Sequence, residues 1–166
     1  MKKTLILVLV LAFIPLLCFA EFGLGPSAFF NSPVLIGQSV DGSTLREEGF
    51  TFGADARLIL LRFLQLEALG LVTLGEVNSI DLYADAGLAL DLAILRLSAG
   101  VGPNFSILLG NASESSLIGF NAKANADIKL GRLSFGLSYI MGLTVDGGVA
   151  LDKSTGMLGA NLLFWF

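Results

Sequence analysis

From Phe120 to Leu130 the chain alternates without exception: Phe120, Ala122, Ala124, Ala126, Ile128 and Leu130 are apolar, and Asn121, Lys123, Asn125, Asp127 and Lys129 between them are polar. A period of two puts successive side chains on opposite faces of a pleated strand, so this segment predicts a strand with one apolar and one polar face. No helix keeps either set together. The same pattern runs through Phe50, Phe52, Ala54, Ala56, Leu58 and Leu60 against Thr51, Asp55 and Arg57. It recurs in Ile80, Leu82, Ala84, Ala86, Leu88 and Leu90 against Asp81, Tyr83 and Asp85. Looser alternation marks Phe22 to Phe30, Leu64 to Leu74, Leu95 to Phe105, Leu133 to Leu143 and the last strand from Gly156. The chain therefore predicts about eight strands of roughly ten residues, a length that suits strands tilted across a bilayer.

The connections between these segments differ in length. Short ones fall near Leu61 to Phe63, at Ala93-Ile94 and at Gly131-Arg132, where Gly131 suits the positive φ of a type II′ hairpin and Leu130 then faces Leu133. Longer ones, rich in Gly, Ser, Asp and Glu, run from Asn31 to Gly49, Ser106 to Gly119 and Thr144 to Thr155, with Gly75 to Ser79 a shorter case. Asp41-Gly42 is a candidate hairpin tip, although pairing Val40 with Ser43 breaks face parity and requires a bulge or a longer loop.

Composition agrees with a membrane solution. The chain is 54% hydrophobic and only 14% charged, with 20 glycines. Residues 1–20 carry Lys2 and Lys3, an apolar run from Leu5 to Phe19, and small residues at Cys18 and Ala20, the features of a secretory signal peptide cleaved after Ala20. Cys18 is the single cysteine, so its removal leaves residues 21–166 without a thiol. Losing Lys2 and Lys3 takes the formal charge from −4 to −6, which leaves no basic patch for nucleic acid. After Glu21 no apolar run of about 18 residues allows a spanning helix. Lipid demands that every backbone polar group be satisfied internally, and strands meet that demand only in a closed sheet.

The final strand puts Leu158, Ala160, Leu162, Phe164 and Phe166 on one face and ends on an aromatic. That alternation resembles the C-terminal signature of bacterial outer-membrane β-barrels, in which the insertion machinery reads the last strand. Across residues 21–166 the pattern resembles the small barrels typified by OmpX, the OmpA transmembrane domain and OmpW. The resemblance implies an all-β, closed, antiparallel, up-and-down transmembrane barrel of about eight strands in the outer membrane of a Gram-negative-type bacterium, with outer-membrane lipid and the insertion machinery as partners. It implies both termini and the short turns on the periplasmic side, with the longer stretches outside. Aromatics then sort into two girdles. Phe22, Phe63, Phe135, Phe164, Trp165 and Phe166 form the inner one, and Phe29, Phe30, Phe50, Phe52, Phe105 and Phe120 the outer one.

A barrel of this size leaves an interior that side chains just fill, so the inward face decides the mechanism. If Leu60 faces Leu64, Arg57 lies opposite Glu67; if Leu92 faces Leu95, Asp91 lies opposite Arg96. The other inward groups, Asp55, Asp81, Tyr83, Asp85, Lys123, Asp127 and Lys129, complete a candidate lumen network of mixed sign. Mixed charge favours a plug over a wide pore, because desolvated charges need partners. Ser98, Gly100, Gly102, Ser134, Gly136, Ser138 and Gly142 also point inward and are read as space for the long Arg and Lys chains.

Catalysis has little to work with. There is no histidine, so no Ser-His or Asp-His pair exists, and the expectation is no catalytic residue, no cofactor and no metal. Asp81 and Asp85 share a face but are read as part of the plug, while Gly23 to Gly25 and Gly147-Gly148 lack the context of a phosphate loop. The leading expectation is a non-enzymatic surface barrel that contributes to envelope structure and displays loops. A narrow porin-like path for small solutes and a loop-mediated adhesin that meets a host-surface ligand are the alternatives.

Overall fold

The computed structural model describes residues 20–31, 50–73, 78–109, 116–144 and 150–166. Residues 1–19 of the expected signal peptide, with Cys18, and the expected hairpin tip at Asp41-Gly42 lie outside the described residues. The regular elements are β1 (Glu21–Asn31), β2 (Phe50–Leu60), β3 (Leu64–Thr73), β4 (Asn78–Leu92), β5 (Leu95–Leu109), β6 (Ser116–Leu130), β7 (Leu133–Thr144) and β8 (Ala150–Trp165). Each strand pairs antiparallel with the next and β8 returns to β1, closing the sheet into an up-and-down barrel. Closure leaves no edge, which is what a sheet in hydrocarbon requires.

The short turns lie at one end, with both termini of the barrel; this is called the turn end below, and the opposite one the loop end. Leu60 pairs with Leu64, Leu92 with Leu95 and Leu130 with Leu133, so the alternating pattern sets these registers as expected. Gly131 has φ 67°, as a type II′ turn needs. The other turns use side chains in the left-handed region: Leu61 at 54°, Arg62 at 67° and Ala93 at 55°.

Several strands reach further than the alternation alone suggests. β4, β5 and β6 have 15 residues each and β8 has 16. Asn78 pairs with Leu109, Ile107 with Ser116 and Thr144 with Ala150, so parts of the stretches read as loops are ladder. Gly and Ser lower the intrinsic strand preference there, but pairing with an adjacent strand overrides a propensity of that size. The register shifts between Ile140–Met157 and Gly142–Asp152, so that β8 carries extra residues against β7 at this point.

The outside of the barrel is apolar over its whole height. Leu82, Leu88, Leu90, Leu97, Val101, Ile118, Ile128, Leu130 and Leu137 are all exposed. Such a surface on a soluble domain would be one large sticky patch, whereas around a barrel it is a lipid-facing band. Phe22, Phe164 and Phe166 touch at the turn end, with ring centroids 6.1 Å and 4.9 Å apart. At the loop end Phe30, Phe50 and Phe52 do the same at 4.9 Å and 6.4 Å. Two rings depart from the expected girdles. Phe29 and Trp165 point into the barrel and are buried, because Phe29 shares its parity with Ser27 and Trp165 with Asn161 and Leu163. Height along the barrel had suggested a girdle for both; the face decides otherwise.

The seam between β1 and β8 has one gap. Phe166 N–H donates to Phe22 C=O at 2.9 Å, so the lipid-facing residues of β1 turn their backbone groups towards β8. Pro26 occupies that series without an N–H, and the β1–β8 register skips Gly25 and Pro26 between Leu24–Phe164 and Ser27–Asn161. Ala93 gives the sharper test of local strain. Replacing it with glycine removes the Cβ penalty of its positive φ and raises stability by about 0.5–1 kcal/mol. Urea unfolding of the refolded barrel in micelles checks this, and an unmoved or lowered midpoint contradicts it.

Candidate functional site

Inward side chains sort into layers along the barrel axis. The middle layer is built around Arg57, which β2 carries inward from between Ala56 and Leu58, and which is fully buried. Its Nη2 donates to Asp55 Oδ2 at 2.7 Å, its Nη1 to Asp127 Oδ2 at 2.8 Å, and its Nε lies 3.2 Å from Glu67 Oε1. Arg57 and Glu67 are register partners, as the Leu60–Leu64 turn requires. Lys123 from β6 pairs with Glu67 and lies 3.6 Å from Asp55. Guanidinium suits this hub because its fixed fork of donors can serve several carboxylates at once.

Neutral side chains complete the layer. Gln65 and Asn125 each donate to Glu67 Oε2, at 2.8 Å and 3.1 Å. Asn125 also donates to Ser98 and accepts from Ser138 at 2.6 Å. In the orientation that satisfies both ends of its amide, Asn161 accepts from Arg57 at 3.0 Å and donates to Asp127 Oδ1 at 3.1 Å. Gln65, Asn125 and Asn161 were not placed in the candidate lumen network, which counted charges and one tyrosine, although each falls on an inward position of an alternating strand.

At the turn end a second ionic group forms the mouth. Arg96 Nε meets Asp91 Oδ1 at 2.5 Å, Arg96 Nη2 meets Glu21 Oε2 at 2.5 Å, and Lys129 lies 3.1 Å from Asp91. Asp91 and Arg96 are opposite each other across the Ala93-Ile94 turn, as their spacing suggested. Glu21 was missed, because it precedes the first clear alternating residue, Phe22. Asp81, Tyr83 and Asp85 join neither ionic group. Asp81 accepts from Ser79 at 3.0 Å and from Ser106. Tyr83 packs with Phe29, Leu69, Leu71 and Ile140, while Asp85 accepts from Asn121 at 2.8 Å. The single network anticipated from the charges is thus divided into separate groups.

Apolar layers lie on both sides of the Arg57 group, and the alternation did not reveal them because they sit on the nominally polar face. Ile59, Ala89, Leu163 and Trp165 fill the turn side, and Phe29, Leu69, Leu71, Tyr83 and Ile140 the loop side. Trp165 donates its Nε1–H to Ser134 at 2.8 Å and lies under Arg96, whose guanidinium carbon is 4.5 Å from the ring centroid. Lys123 Nζ stands 5.4 Å from the centre of the Phe29 ring. The small inward residues serve these groups more than the basic chains. A Cβ at Gly136 would collide with Asp127 Oδ1, one at Gly159 with the Phe29 ring, and one at Gly23 would lie 2.9 Å from Trp165. Among them, Ser138 does receive Arg57, at 3.5 Å.

A closed eight-strand sheet with an apolar exterior, and with its polar side chains packed inside between apolar layers, spans a membrane. This is the fold of the small outer-membrane β-barrels. Against solved structures, the chain is similar to the N-terminal β-barrel domain of Pseudomonas aeruginosa OprF, with TM-score 0.58, 13% identity and coverage of 89% of this chain and 98% of that one. It is similar to the outer-membrane protein OprG from Pseudomonas aeruginosa at TM-score 0.56 and 9% identity, covering 89% and 95% of the two chains. A de novo designed transmembrane β-barrel matches at TM-score 0.56 and 11% identity, covering 89% and 96%. No protein-family profile and no curated protein sequence matches the chain. Likeness to a designed barrel at such low identity shows how far alternation and closure, with few shared residues, specify this architecture.

Arg57 offers the direct test of the middle layer. Arg57→Ala leaves Asp55 and Glu67 with Lys123 alone and takes from Asp127 its ion-pair partner, all in a desolvated interior, and lowers unfolding free energy by about 3–5 kcal/mol. Urea titration of parent and variant in the same micelles measures it. An unchanged midpoint removes Arg57 from the centre of the interior.

Proposed function

We propose that this chain is a non-enzymatic barrel of the bacterial outer membrane that contributes to envelope structure, displays its longer connections at the surface, and has a lumen closed by its own side chains. The observation that carries this reading is the Arg57 group lying between two apolar layers. A hydrated ion passing along the axis would have to separate a buried ion pair and cross both layers, and each step carries a desolvation cost. The narrow-channel alternative needs empty volume beside the inward glycines. Trp165, Asp127 and Phe29 stand against Gly23, Gly136 and Gly159, which weighs against it. A chain without histidine also has no imidazole to serve as a general base, which favours a structural role over a hydrolytic one.

Single-channel recording in planar bilayers tests closure: the purified barrel gives no reproducible conductance steps, while Arg57→Ala, by loosening the middle layer, introduces some. Regular steps from the parent protein would overturn the closed-lumen reading.

The last strand carries a second part of the proposal, recognition by the insertion machinery. Leu158, Ala160, Leu162, Phe164 and Phe166 form one lipid-facing row, and Phe166 is held to β1 through Phe22 C=O. Deleting Phe166 reduces membrane insertion in cells several-fold, yet the refolded variant keeps the heat-modifiable gel shift of a folded barrel. Normal insertion of the truncated chain would remove the assembly role.

A further inference from the structure

Asp85 is the anomaly of the interior. It is 5% exposed, and among the described residues no lysine or arginine lies within ion-pair distance of it. Its register partner on β3 is Glu67, another carboxylate, whose charge is already shared by Arg57 and Lys123. The buried middle of the barrel thus holds Asp55, Glu67, Asp85 and Asp127 against Arg57 and Lys123, a formal excess of two negative charges from four acids and two bases. Buried charge without a counter-charge is costly, and like charges facing each other across strands add to that cost.

The oxygens around Asp85 point to what supplies the missing charge. Asn121 donates its amide to Asp85 Oδ1 at 2.8 Å, which leaves Asn121 Oδ1 within about one amide width of the carboxylate. Asp85 Oδ2, Asn121 Oδ1 and Asn104 Oδ1 are all buried without a hydrogen-bond donor among the described residues, and Asn121 is 1% exposed. All three are acceptors. Gly102 and Gly119 make the space: Gly102 pairs with Asn121, Asn104 pairs with Gly119, and the position of a Cβ would be 2.8 Å from Asp85 Oδ1 at Gly102 and 2.6 Å from Asn104 Oδ1 at Gly119. No three His, Cys, Asp or Glu side chains converge among the described residues, so this is not an acidic cage but one carboxylate with the Asn121 amide against it and the Asn104 amide at the next inward position of β5, two residues from Gly102.

We propose that Asp85, Asn121 and Asn104 form a lumen site for a hard, oxygen-seeking cation, of which Ca²⁺ is the best fit. Carboxylate and amide carbonyl oxygens are the ligands that hard cations take, and a divalent charge cancels the buried excess. Ca²⁺ accepts mixed carboxylate, carbonyl and water ligands in irregular geometry, whereas Mg²⁺ demands a strict octahedron and gives up its water reluctantly. The sequence reading expected no metal because it looked for His and Cys, which this donor set does not use. The inference does not depend on whether the lumen conducts.

Terbium provides the test, since Tb³⁺ replaces Ca²⁺ at oxygen sites and is sensitised by a nearby tyrosine; Tyr83 is the register partner of Asn104. The full barrel, refolded in zwitterionic micelles, gives Tb³⁺ emission on tyrosine excitation, and Ca²⁺ displaces it more effectively than Mg²⁺ or Na⁺. Asp85→Asn weakens Tb³⁺ binding at least tenfold while keeping the heat-modifiable gel shift, and Asp91→Asn at the turn-end mouth leaves it unchanged. Tyr83→Phe loses the emission yet retains the rise in melting midpoint that Ca²⁺ produces. Equal Tb³⁺ binding by the parent and Asp85→Asn overturns the site. So does an absence of ion binding accompanied by a protonated-carboxyl infrared band that Asp85→Asn removes, which would make the counter-charge a proton. Absence of both leaves only water against these oxygens and equally overturns it.

Discussion

Every backbone N–H and C=O that crosses hydrocarbon must find its partner within the protein, and for strands this means that the sheet has to close. The pairing of β8 with β1 is therefore the contact on which the rest of the barrel depends. Once it forms, the alternating pattern acquires a direction: one face of every strand meets lipid, and the other shares a narrow interior. The seam tolerates the missing donor of Pro26 because the register is held on both sides, by Leu24 with Phe164 and by Ser27 with Asn161. Phe166 adds a further backbone bond at its turn end.

Closure also concentrates charge. Polar side chains that would be solvated on an open sheet are brought within reach of others far away in sequence, such as Arg57 of Asp127 and Lys123 of Glu67. Burial then makes partnership obligatory, and Arg57 meets it by serving three carboxylates with one planar group. The apolar layers on either side withhold water from that group and so raise the cost of any unpaired member. Inward glycines are part of the same packing. They are places where a ring or carboxylate from a neighbouring strand occupies the volume a side chain would have taken, as Phe29 does at Gly159 and Asp127 at Gly136.

Much of this was legible along the chain. Strict alternation from Phe120 to Leu130 and the tight connections at Leu61 to Phe63, Ala93-Ile94 and Gly131-Arg132 gave strands, faces and registers, and with them the Arg57–Glu67 and Asp91–Arg96 pairings. What misled were residues whose type and face disagree. Phe29 and Trp165 have girdle chemistry at inward positions, and Leu69, Leu71 and Ile140 are apolar on the face counted as polar. The ends of β5, β6 and β8 were also hidden, because Gly and Ser lower local strand preference while pairing with a neighbour restores it.

The sequence by itself determined the architecture: a period of two, an apolar face and short turns are local properties, and a membrane leaves them one way to be satisfied. Tertiary structure decided which inward groups meet. That choice depends on strand stagger, side-chain reach and the volume left at each level of the barrel, none of which is local. Hence Arg57 gathers Asp55, Glu67 and Asp127, while Asp85, equally inward and equally acidic, is left with the amide of Asn121.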